Sequence, residues 1–152
     1  MVAARARAVL ATLWIGSLWT IGYIVAPTLF ATLQDRMLAG TIAGRMFQIE
    51  AWLTIACAVL LAILVARAGE AYEGRQRKQL LIIIGLMLAC TLVSHFSIQP
   101  LMAEIKATAA PGSVMTADVQ TSFGRLHGLS SALYLLQSVL GLVLVLKLYR
   151  VR

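Results

Sequence analysis

Four apolar runs, at about 8–32, 46–66, 79–99 and 126–149, leave this chain few ways to fold. Each exceeds the roughly 20 residues that carry a helix across a hydrocarbon core about 30 Å thick. Backbone inside lipid must satisfy its own hydrogen bonds, and none of the runs alternates every second residue as barrel strands do. The expectation is an all-α integral membrane four-helix bundle, with residues 1–152 forming a single transmembrane domain. Charged residues make up only 12% of the chain and hydrophobic ones 61%, whereas soluble domains carry about 25% charged residues. Arg5 and Arg7 ahead of the first run imitate a signal peptide. That run continues to about Leu33 without a small-residue cleavage site and is read as a span.

The net charge of +7 sits in short clusters between the runs. That pattern serves membrane topology, and it lacks the basic, aromatic-interleaved surface that nucleic acid requires. Arg5, Arg7, Arg67, Arg75, Arg77, Lys78, Lys147, Arg150 and Arg152 fall on one side; Arg36, Arg45, Lys106 and Arg125 fall on the other. The positive-inside rule then puts both termini in the cytoplasm and the first and third connections outside, in a multi-pass protein of a bacterial inner membrane. Helices three and four should extend beyond the outer face. A cap at Thr116, with Asp118 in the first turn, would give the last helix roughly 50 Å of length at 1.5 Å per residue. Ala109–Ser113, containing Pro111 and Gly112, reads as a turn.

Polar residues inside the runs fall at one depth. With the outer boundary near Pro27, Met46, Gln99 and Leu126, Glu50 lies roughly 6 Å inside by helical rise. Tyr23 and His95 lie at a similar depth, and His127 slightly higher. Ionisable residues in membranes usually face the bundle interior or a wet cavity. The expected ligand site therefore comprises Tyr23, Glu50, His95, Gln99, His127, Ser130, Ser131 and Tyr134, open to the outside. On the last helix Phe123, His127, Ser130, Ser131, Tyr134, Ser138 and Gly141 share a broad face expected to point inward. In the first span Gly16, Thr20, Tyr23 and Pro27 form a small and polar stripe suited to close helix packing. The plain alternative is that these groups pair only with each other and lock the helices in register, making the protein a scaffold or assembly factor.

Other chemistry has thinner support. His95, His127 and Met102 are ligand types that suit copper, with Glu50 and Cys57 as further donors, but no HxxxH or CxxC spacing joins them. Two imidazoles from facing helices could hold haem, with Gly124 and Gly128 making room. No metal or cofactor is predicted. Hydrolysis would need an activated nucleophile and an oxyanion hole, and no Gly-x-Ser-x-Gly elbow is present. The balance is against an enzyme. The implied partners are the lipid bilayer and a second copy packed through a GxxxG face, Gly40/Gly44 or Gly124/Gly128.

Three signatures carry a family resemblance. They are Ala26-Pro27-Thr28-Leu29-Phe30 followed by Ala39-Gly40 and Gly44-Arg45-Met46-Phe47; His95 to Pro100; and Phe123-Gly124-Arg125-Leu126-His127-Gly128-Leu129-Ser130-Ser131. On these the chain resembles the transmembrane protein 205-like family, including its bacterial members of unknown function. The resemblance implies a compact four-helix membrane protein with no settled activity. It also implies that Pro27, Phe30, Gly40, Phe47, Pro100, His127, Gly128 and Ser130 are family positions. A remoter likeness to bacterial membrane protoporphyrinogen oxidases and copper-resistance membrane proteins implies haem or copper. Those oxidases place a histidine in the first span, where this chain has none.

Overall fold

The structure, a computed structural model, describes residues 2–108 and 117–149. Its regular elements are helical: α1 (Val2–Thr20), a π turn (Ile21–Val25), α2 (Ala26–Thr32), α3 (Arg36–Ala66), α4 (Gly74–Val93), a second π turn (Ser94–Ile98), α5 (Gln99–Thr108) and α6 (Ala117–Leu148). Counted through the π turns, four helices are long and apolar enough to cross a membrane: Val2–Thr32, Arg36–Ala66, Gly74–Ile105 and Asp118–Leu148, with mean hydropathy between 1.7 and 2.4. The chain is a multi-pass membrane protein.

Both π turns have the same cause. Pro27 and Pro100 each lie two residues past a π turn. Proline has no N–H to give, and its ring collides with the carbonyl four residues back. Widening the preceding turn relieves that collision while the helix continues. The second π turn re-aims His95, which lies within it.

The helices begin earlier than hydropathy indicates. The stretch 36–45, expected as a connection, is the first part of α3. Asp35 caps it by accepting from the backbone N–H of Met37 at 2.8 Å and of Leu38 at 3.1 Å, which holds two of the donors a helix start leaves open. Helix α6 starts at Ala117 with Asp118 in its first turn. Thr116 and the Ala109–Ser113 turn lie outside the described residues, as do Arg150 and Arg152. Between α3 and α4 the chain turns through Gly69, whose φ of 55° suits a residue without a Cβ.

Going round the bundle, α1 packs on α3, α3 on α4, α4 on α6 and α6 on α1. Lipid is as apolar as leucine, so close packing and hydrogen bonds do most of the work of association. The core is tight towards the end that carries the termini, where Ala11, Trp14, Ala58, Leu61, Val65, Leu80, Ile84, Met87 and Leu144 are buried. Polar groups knit that end. Gln76 Nε2 donates to the Lys147 carbonyl at 2.9 Å, Lys147 Nζ donates to Gln79 Oε1 at 2.9 Å, and the Tyr72 hydroxyl donates to the Leu148 carbonyl at 3.5 Å. The Arg7 guanidinium lies 5.2 Å over the Tyr72 ring, within cation–π range.

One packing expectation is corrected. The face of α1 that packs inward is Ala11, Trp14, Ile15 and Leu18; Gly16 and Thr20 of the small and polar stripe are exposed. In α3, Ala39 and Ala43 are buried, while Gly44 is exposed with nothing near the position of a Cβ.

Candidate functional site

The bundle loosens away from the termini, and a polar cluster occupies the transition. On α3, Glu50 is only 4% exposed. Its Oε1 accepts from the Thr54 hydroxyl at 2.6 Å, and Thr54 Oγ1 in turn accepts from the Trp14 indole N–H of α1 at 2.8 Å. One helical turn separates Glu50 from Thr54, so local geometry makes the first bond. Only the α1–α3 contact makes the second. Across the bundle, Gln137 Nε2 of α6 donates to Thr91 Oγ1 of α4 at 2.8 Å, and Thr91 passes its own proton to the Met87 carbonyl at 3.3 Å.

Between these two polar bridges lies a cavity of about 40 Å³, room for a few water molecules. Its wall includes Glu50, Thr91, His95, Gln99, Tyr134 and Gln137. His95 contributes a buried Nδ1 that has no hydrogen-bond partner. Its ring is wedged edge-on against Phe96 at 4.8 Å and Trp52 at 5.9 Å. A buried polar atom without a partner normally costs about 1–3 kcal/mol, so an occupant that satisfies it is favoured.

Tyr134 closes another side. Its hydroxyl donates to the Leu18 carbonyl at the mouth of the first π turn. Its ring lies against Gly22 so closely that a Cβ there would run into it. Glycine at 22 is therefore required by the approach of an aromatic ring. Phe47 packs edge-on to Tyr134 at 5.4 Å and Tyr23 does so at 6.2 Å.

The eight residues singled out from the sequence divide into three groups. Glu50, His95, Gln99 and Tyr134 meet at the cavity. Tyr23 is the neighbour of Tyr134; it is 50% exposed, and its hydroxyl donates to Ser138 Oγ at 2.9 Å. His127, Ser130 and Ser131 do not line the cavity. His127 is exposed and stacks on Phe123, with ring centroids 6.2 Å apart. The hydroxyls of Ser130 and Ser131 both return to the His127 carbonyl, at 3.0 and 2.9 Å. His127 shares the angular face of Tyr134 on α6, but no residue of α6 before Gln137 is buried among those described. Phe47, Ala51, Thr91, Ser94 and Gln137 also line the cavity and are not among the eight. The i−4 spacing from His95 was the available signal for Thr91.

Among the described residues no group of three or more His, Cys, Asp or Glu could hold a metal ion. Ligand pockets for drug-sized molecules run to about 300–1,000 Å³, so a porphyrin does not fit this cavity.

Comparison with protein families places residues 9–111 in a model described as a domain of unknown function, DUF4149. The chain belongs to that family. The match covers about two thirds of its 152 residues. It includes Glu50, His95 and Gln99 and ends before α6, so Tyr134 and Gln137 come from beyond the DUF4149 match. Neither the curated proteins nor the solved structures provide a match.

Proposed function

We propose that this DUF4149 protein binds a small ligand or ion between its helices, in the cavity walled by Glu50, His95, Gln99, Tyr134 and Gln137. The supporting observation is the unpartnered, buried Nδ1 of His95 on the same small cavity as a buried carboxyl. A purely structural cluster would be expected to close on itself. The orientation that fits the distribution of Lys and Arg has both termini in the cytoplasm of a bacterial inner membrane, so the cavity opens towards the outer side. The three sequence signatures further support placing the chain with the transmembrane protein 205-like proteins. Single cysteines introduced at Gln99 in a Cys57→Ala, Cys90→Ala background test the reading. Reaction with a small, membrane-impermeant thiol reagent from the outer side supports it, and no reaction from that side refutes it.

A second reading has its own observation. Trp14, Thr54 and Glu50 already bridge α1 to α3, and Gln137 with Thr91 bridges α6 to α4; such bonds hold a scaffold in register. Gly124 and Gly128 have nothing near a Cβ position, which leaves that GxxxG face open for a second copy.

A further inference from the structure

We infer that the occupant of the cavity is a small monovalent cation that donates hydrogen bonds, of the ammonium type. The inference rests on the binding reading above and adds the chemistry of the ligand. Size comes first. About 40 Å³ admits a few water-sized groups and is small beside the pockets that hold drug-sized ligands.

Charge comes second. The wall carries the carboxyl of Glu50 and no lysine or arginine. A buried carboxylate without a cationic partner is costly, and one way to relieve the cost is to bring in a positive charge. The polarity of the hydrogen bonds comes third. The Thr54 hydroxyl spends its proton on Glu50, Thr91 on the Met87 carbonyl, Tyr134 on the Leu18 carbonyl, and the Gln137 amide nitrogen gives one to Thr91. These protons are directed into the protein; on the wall itself the Ser94 hydroxyl, the Gln99 amide and the second Gln137 amide proton remain as donors. What the same groups retain is lone pairs: the second Glu50 oxygen, the Gln137 amide oxygen and the hydroxyl oxygens. His95 Nδ1, in the tautomer protonated at Nε2, adds another. Such a wall matches an occupant that supplies positive charge and several N–H donors. The edge-to-face pair of Phe47 and Tyr134 adds aromatic surface of the kind that attracts cations. A bare divalent metal would want three or more strong ligands, and the described residues offer no such group.

The three tryptophans provide the readout. Trp14 reports on Glu50 through Thr54, and Trp52 touches His95. Trp19 is exposed and serves as reference. Full-length protein with ¹⁵N-labelled indoles, in lipid nanodiscs, is titrated with ammonium chloride against sodium chloride at constant pH and ionic strength. The expected result is a saturable shift of the Trp14 and Trp52 indole signals with ammonium, a fixed Trp19 signal, and binding of methylammonium at least about tenfold weaker because of the added methyl group. Loss of the response is expected in Glu50→Gln. The same loss is expected in Ala51→Val, since Ala51 also lines the cavity and the larger side chain fills it while the carboxyl is kept. Equal shifts with sodium overturn the inference in favour of a bare-cation site. Shifts with pH alone overturn it in favour of a proton. No shift while Gln99→Cys still reacts from outside overturns the cation and spares the cavity. An unreactive Gln99→Cys, together with silent indoles, removes both.

Discussion

Thr54 is the residue on which the polar cluster can be tested most sharply. It accepts the Trp14 indole proton at 2.8 Å and donates to Glu50 at 2.6 Å, with no exposure of its own. Thr54→Val keeps the shape and removes both bonds. Hydrogen bonds between membrane helices are worth about 0.6 kcal/mol on average and up to about 1.7. Two of them give an expected loss of about 1–3 kcal/mol in unfolding free energy. The assay is reversible unfolding in mixed detergent micelles for the wild type, Thr54→Val, Trp14→Phe and the double variant. Trp14→Phe also shrinks a buried ring, and the cycle subtracts that effect. If Thr54 relays Trp14 to Glu50, the double variant costs less than the sum of the singles by about 0.5–1.5 kcal/mol. Additivity within about 0.3 kcal/mol would mean that the two bonds carry no coupled stability, and the argument for a bridge between α1 and α3 would fail.

Gly22→Ala puts a methyl group into the Tyr134 ring and should cost about 1–3 kcal/mol as overpacking does; Tyr134→Leu in the same chain should recover part of that loss in the same unfolding assay. Gln76→Ala removes the donor to the Lys147 carbonyl and should cost about 0.5–1.5 kcal/mol. Hydrogen exchange should locate the loss in the last turn of α6 and leave the cavity residues unchanged.

Much of the candidate site was legible because helical spacing is a local property. Glu50 and Thr54 lie four apart, as do Thr91 and His95, so each pair shares a face whatever its neighbours do. The depth argument uses the same regularity, since rise per residue is constant. Whether a neighbouring helix covers a given face at that depth is a different matter. His127 and Tyr134 share a face of α6, yet His127 stacks on Phe123 in an exposed position while Tyr134 enters the bundle. Trp14 and Trp19 both lie in the first apolar run, and only Trp14 is buried.

The sequence by itself determined the class of the protein: four runs of this length and polarity have to be membrane helices, because lipid offers the backbone no other partner. It also announced the two helix disturbances, since Pro27 and Pro100 lack the N–H a regular helix needs. Tertiary structure alone decided what those disturbances accomplish. The first leaves the Leu18 carbonyl and Gly22 open to Tyr134, and the second turns His95 onto the cavity it shares with Glu50. Those contacts join residues more than forty positions apart, and such pairings follow from how whole helices pack, which no local pattern encodes.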